Sequence, residues 1–96
     1  MDNSELNRWR EIPSDLALLR LADFAAIDRH FEPRVSTWST RWHANVAGQD
    51  FEILCTGSKF FDTRTATGGG GAVDLAMHLL NVNFKEAVRI LRGKGM

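Results

Sequence analysis

Apolar residues from Leu16 to Ile27 recur at near-helical intervals. Leu16, Leu19, Phe24 and Ile27 mark a stripe, and Leu18, Leu21, Ala22, Ala25 and Ala26 fill in around it. Pro13, Ser14 and Asp15 supply a helix-start signal. This predicts one helix, or two short ones, from Asp15 to His30, stopped by Pro33 because the residue before a proline avoids the helical region. Residues 1–12 are polar, with Trp9 the only large anchor, and read as a leader or short helix ahead of one domain over 13–96.

At Thr37 the period changes from helical to two. Trp38, Thr40 and Trp42 share one face of a strand over Thr37–Ala44, and Ser39, Arg41 and His43 share the other. Gly48 marks a turn. Phe51, Ile53 and Cys55 then alternate with Glu52, Leu54 and Thr56, Gly57-Ser58 turns the chain again, and Lys59–Thr63 forms a third strand. Neighbouring strand residues face opposite ways, so Phe60 and Phe61 cannot both be buried in a one-sided sheet. The four glycines Gly68–Gly71 read as a loop, since glycine is costly inside regular elements. A helix follows over Ala72–Leu80, and a second from Asn83 to Arg92, where Asn83 and Glu86 have the spacing of a capping box. Gly93-Lys94-Gly95 closes that helix.

The predicted fold class is α+β: a small antiparallel meander packed with one or two N-terminal helices and a C-terminal helix pair. The expected core is Leu19, Phe24, Trp42, Ile53, Phe60, Val73, Met77, Phe84, Val88 and Leu91.

Ninety-six residues with 44% apolar and 25% charged residues suit one globular unit. Twelve basic residues balance twelve acidic ones, which excludes nucleic-acid binding by bulk charge alone. The charge is uneven, however. Residues 1–32 carry seven acids against four bases, and residues 33–96 carry eight bases against five acids, so an anion-binding face belongs to the second part. A single cysteine, Cys55, excludes an internal disulfide and any multi-cysteine zinc site. No apolar run reaches a membrane span, and the first fifteen residues lack the apolar segment of a secretory signal, so a cytoplasmic protein is expected.

The glycine run ahead of a helix suggests backbone amides facing a phosphate. It lacks the Gly-Lys-Ser/Thr ending of a P-loop, and Asp74 at the helix start opposes an anion. The alternative is close packing of helix on sheet. His30, His43, His78 and Cys55 match no zinc spacing, and no cofactor is expected. Catalysis finds no motif. Cys55 shares a face with Phe51 and Ile53, which implies a buried, inert thiol, and Asp62 and Asp74 read as two surface carboxylates flanking the glycines. The remaining signal is aromatic residues interleaved with cations: Trp38, Arg41, Trp42, His43, Lys59, Phe60, Phe61 and Arg64. Single-strand binders stack bases on aromatic rings and hold phosphates with Arg and Lys.

Phe60-Phe61-Asp62, the glycine run, Ala72–Met77, and Asn83-Phe84-Lys85-Glu86-Ala87-Val88 with Leu91 together resemble the zinc-finger domain of bacterial-type DNA primases. The likeness is closer to zinc-less relatives in Toprim-containing proteins of plasmids and other mobile elements. It covers about three quarters of the chain, more loosely before Phe51. Where that family holds zinc, this sequence reads Ser36–His43 and Thr63–Thr67, so the metal is expected to be absent, with His43 at most a remnant. Residues 1–96 are not expected to include a Toprim module, so the resemblance implies a module either free-standing or cut from a longer protein.

The resemblance implies a non-catalytic module that binds a single-stranded DNA template. Trp38, Trp42 or Phe61 would stack bases, and Arg41, Lys59 and Arg64 would hold phosphates. Gly69 and Gly70 would offer amides, and Lys85 and Arg89 would extend the track. The alternative class is a protein-interaction module docking on a replication or host protein, which the neutral charge and acidic first third favour. A third reading, a helix-turn-helix over Ala72–Leu91, offers only Asn83, Lys85, Arg89 and Arg92 to a groove.

Overall fold

A computed structural model describes residues 3–32 and 38–96. Its centre is a hairpin of β2 (Thr40–Val46) and β3 (Gln49–Thr56), with Trp42 opposite Ile53 and Ala44 opposite Phe51. The connecting Ala47 and Gly48 both adopt positive φ, 52° and 83°, as a tight two-residue hairpin turn demands. β4 (Lys59–Asp62) and β5 (Thr67–Gly70) continue the meander on one side, and β1 (Phe24–Ile27) pairs with β2 on the other. The sheet is antiparallel throughout, in the order β1-β2-β3-β4-β5.

Alternation makes the sheet one-sided. Ala44, Val46, Phe51, Ile53, Cys55, Phe60 and Asp62 are buried on the inner face. On the outer face Arg41, His43, Glu52, Leu54, Lys59 and Phe61 are half-buried or exposed. Phe60 and Phe61 divide as the alternation requires, one inside and one outside. Burial, with a smaller push from the negative charge of Asp15, raises the Cys55 thiol to about 11, so it behaves as a small core hydrophobe.

The helices α1 (Asn3–Glu11), α2 (Ser14–Leu21), α3 (Ala72–Leu80) and α4 (Phe84–Gly93) supply the rest of the core. Ser14 anchors α2 to the β3–β4 turn, its N–H donating to the Gly57 carbonyl at 2.7 Å and its Oγ lying 2.8 Å from the Lys59 carbonyl. α3 fills the middle with Ala72, Val73, Leu75, Ala76 and Leu79. The Asn83 side chain accepts the Glu86 N–H at 2.8 Å, so α4 begins on the expected cap. Arg92 of α4 meets Glu5 of α1 through both Nε and Nη2, joining the two ends of the described chain.

Several expectations are corrected. The helix from Asp15 ends at Leu21, and Phe24–Ile27 is a strand. Its residues mimic helical spacing because an exposed edge strand has no strict inside-outside alternation. The glycine run is not a loop: Gly68, Gly69 and Gly70 belong to β5, where a short edge strand tolerates the weak propensity, and Gly71 alone makes the turn at φ 89°. Leu19, Phe24 and Phe84 are exposed rather than core, while Trp42 and Met77 pack at its margin. Of the two readings of residues 1–12, the short helix is the one formed: α1 spans Asn3–Glu11, with Trp9 fully buried against the core. Asp62, expected at the surface, is 1% exposed. The expected stop at Pro33 and strand start at Thr37 lie outside the described residues.

Candidate functional site

The uncovered sheet face gathers three of the ten candidate residues, Arg41, Lys59 and Phe61, with Arg64 in the adjoining β4–β5 turn. Phe61 is 42% exposed. Its cross-strand neighbours are Leu54 and Gly68. A Cβ built on Gly68 would come within 3.3 Å of Phe61 Cδ1, so the ring lies against bare backbone on that side. Leu54, Phe61 and the β5 glycines thus form a flat apolar patch. Lys59, two residues away on the same face, has no ion-pair partner among the described residues. Arg64 reaches the Asp50 carbonyl at 3.5 Å and is otherwise exposed.

Arg41 is different. Its Nε and Nη2 donate to Asp28 Oδ2 at 2.9 and 2.5 Å, Nη1 stands 3.9 Å from Glu52, and the guanidinium lies 5.1 Å from the centre of the Phe31 ring. His43 completes the cluster, 3.4 Å from Asp28 and 3.9 Å from Glu52. The hydrogen bond from Arg41, with the His30 N–H and His43, holds the Asp28 carboxyl down to about 2. The Arg41 charge is therefore balanced within the fold. Asp28, Glu52 and Leu54 were not among the predicted site residues. The outward position of Leu54 in the alternation was the available signal for one of them.

The other candidates do not join this patch. Trp42 sits on the inner face opposite Ile27 and Ile53, and its indole N–H donates to Thr40 at 3.0 Å. Trp38 precedes β2 and is 81% exposed. Three amides of the glycine run are engaged within the fold: the Gly70 N–H donates to Asp74 at 3.2 Å, the Gly71 N–H to the Ser58 carbonyl at 2.9 Å, and Gly69 pairs with Phe60. No anion cradle forms there, because the protein's own carboxylate occupies the position. Gly69 instead admits the Phe60 ring, which would stand 2.9 Å from an added Cβ. Lys85 and Arg89 project from α4, which packs on α3 on the helical side of the molecule. They line an open concavity of about 530 Å³ with Phe84 and Val88, and Arg89 is paired with Glu86.

Among the described residues no group of three or more His, Cys, Asp or Glu could hold a metal ion, and no helix is long and apolar enough to cross a membrane. Comparison with family models, curated proteins and solved structures finds no match.

Proposed function

We propose that this chain is a non-catalytic module that binds single-stranded DNA on the outer face of its sheet, as its likeness to the primase zinc-finger domain implies. The observation that carries the reading is Phe61: a large ring held out of the core on an uncovered sheet, with glycine backbone beside it and the unpaired Lys59 on the same face. A base stacks on the ring. Lys59 and Arg64, near the two ends of β4, hold the flanking phosphates. Arg41 contributes little, since its charge is matched by Asp28 and Glu52. Two cations in contact with phosphate give a shallow salt dependence, a slope of about −1.4 in log K against log salt for a single strand.

The test is fluorescence anisotropy of a labelled oligothymidine titrated with the protein at low and moderate salt. Stacking on an aromatic ring contributes about 1–3 kcal/mol per base, so Phe61→Ala weakens binding at least about fivefold. Lys59→Ala flattens the salt slope. Unchanged affinity in Phe61→Ala, or no binding by the wild type at tens of micromolar, overturns the reading. The second reading, docking on a replication or host protein, is favoured by the balanced Asp28–Arg41–Glu52 cluster, which leaves much of the face neutral.

A further inference from the structure

The two edges of the sheet are treated differently. At β5 the outward-facing Gly70 N–H is taken by the Asp74 carboxylate, which places a charge against that edge. At β1 the edge is Phe24-Ala25-Ala26-Ile27, without charge, proline or glycine, and Phe24 and Ile27 are 64% and 40% exposed. Natural sheets blunt such edges with charge, proline or bulges, because an open apolar edge is a template for another strand.

We infer that β1 is the interface of a symmetric dimer, formed with a second copy of this chain by antiparallel β1–β1 pairing. The register follows from the fold. The Asp28 N–H donates to the Arg41 carbonyl at 2.7 Å, and residues 28 and 41 are the next cross-strand pair after Ile27 and Trp42. Alternation then turns the backbone groups of Ala26 and Phe24 toward β2 and those of Ala25 and Ile27 away from it. A two-fold axis through Ala26 sets Ala25 of each copy against Ile27 of the other, amide to carbonyl. Inner face stays with inner face and outer with outer.

The side chains suit this arrangement. Two alanines meet at the axis. Phe24 of each copy comes opposite Asp28 of the other, whose carboxylate is already neutralised by an Arg41 guanidinium that stacks on Phe31. An exposed ring thereby reaches a guanidinium, and no like charges are brought together. The pairing is independent of DNA binding on the outer face.

Sedimentation equilibrium from 1 to 500 µM tests the inference. It predicts reversible association to twice the monomer mass, weakened at least tenfold by Phe24→Lys and by Ile27→Lys. Both side chains are exposed, so the fold survives the changes. A second measurement reads the register. Ala26 faces Ala26 of the other copy as a non-hydrogen-bonded pair, with Cα atoms about 4.5 Å apart, which a disulfide spans. Ala26→Cys becomes a covalent dimer on mild oxidation, while buried Cys55 does not interfere. A monomer at every concentration overturns the inference. So does a dimer that ignores both lysine variants, or one that Ala26→Cys fails to cross-link.

Discussion

Asp62 and His78 face each other with Oδ2 and Nε2 2.6 Å apart, a charge-assisted hydrogen bond that joins β4 to α3 inside the core. The imidazole is packed by Phe51 and Phe60, with ring centres 5.9 and 5.8 Å away. Asp62 also accepts the N–H groups of Arg64 and Thr65, so one carboxylate orders the β4–β5 turn and holds the helix above it.

Burial alone would raise the Asp62 carboxyl, but the bonds from His78, Arg64 and Thr65 together outweigh it and hold the group below the usual carboxylate range. A carboxylate lowered in the folded state stabilises the fold above its unfolded value near 3.9. That contribution is lost as the pH falls through the lower, folded value. Urea unfolding from pH 7 to pH 2 should therefore show a loss below about pH 4 that is reduced in Asp62→Asn. His78→Ala, which strands the buried carboxylate, should cost about 3 kcal/mol at pH 7.

The Asp28 carboxyl should titrate near 2 by side-chain NMR and return toward the ordinary range in Arg41→Ala, which removes its strongest partner. Because the guanidinium is already matched, Arg41→Ala should also weaken oligothymidine binding less than Lys59→Ala does. Equal effects from both would mean that Arg41 leaves Asp28 to meet the nucleic acid.

Steric demand separates two neighbouring glycines. An added Cβ at Gly69 meets the Phe60 ring at 2.9 Å, whereas at Gly70 nothing lies nearer than Lys59 Cγ at 4.0 Å. Gly69→Ala should cost about 2 kcal/mol through forced repacking. Gly70→Ala should change stability by less than about 0.5 kcal/mol. Thermal unfolding of the pair reads the difference directly.

Trp9 is fully buried, and its indole N–H has no hydrogen-bond partner among the described residues, so packing holds the ring. Trp9→Ala should cost about 4 kcal/mol in chemical denaturation. Removing residues 1–12 should be at least as harmful, although the sequence invites that cut.

The C-terminal helices were legible because their signals are local: an apolar stripe over Ala72–Leu80, and an asparagine cap three residues before Glu86. The β2–β3–β4 meander was legible in outline, since one face is buried and alternation records it. β1 and β5 were not. Both are edges, one too exposed to alternate and one with three of its four residues glycine. Leu19 and Phe84 illustrate the same limit, for helical spacing places a residue on a stripe without saying whether anything covers it. On the candidate site, alternation separated Phe61 from Phe60. It could not foresee that Arg41 would be claimed by Asp28, thirteen residues away in sequence, or the Gly70 amide by Asp74. Such pairings depend on how strands and helices meet in space.

Every pairing in the sheet joins strands that are consecutive along the chain, so each hairpin closes on its own nearest neighbour. The contact between Glu5 and Arg92 spans 87 positions, the widest separation among the hydrogen bonds of the described residues. Loop-closure entropy therefore favours early assembly of the meander and later docking of α1. In hydrogen exchange of the folded protein the α1 amides should open ahead of those in β3.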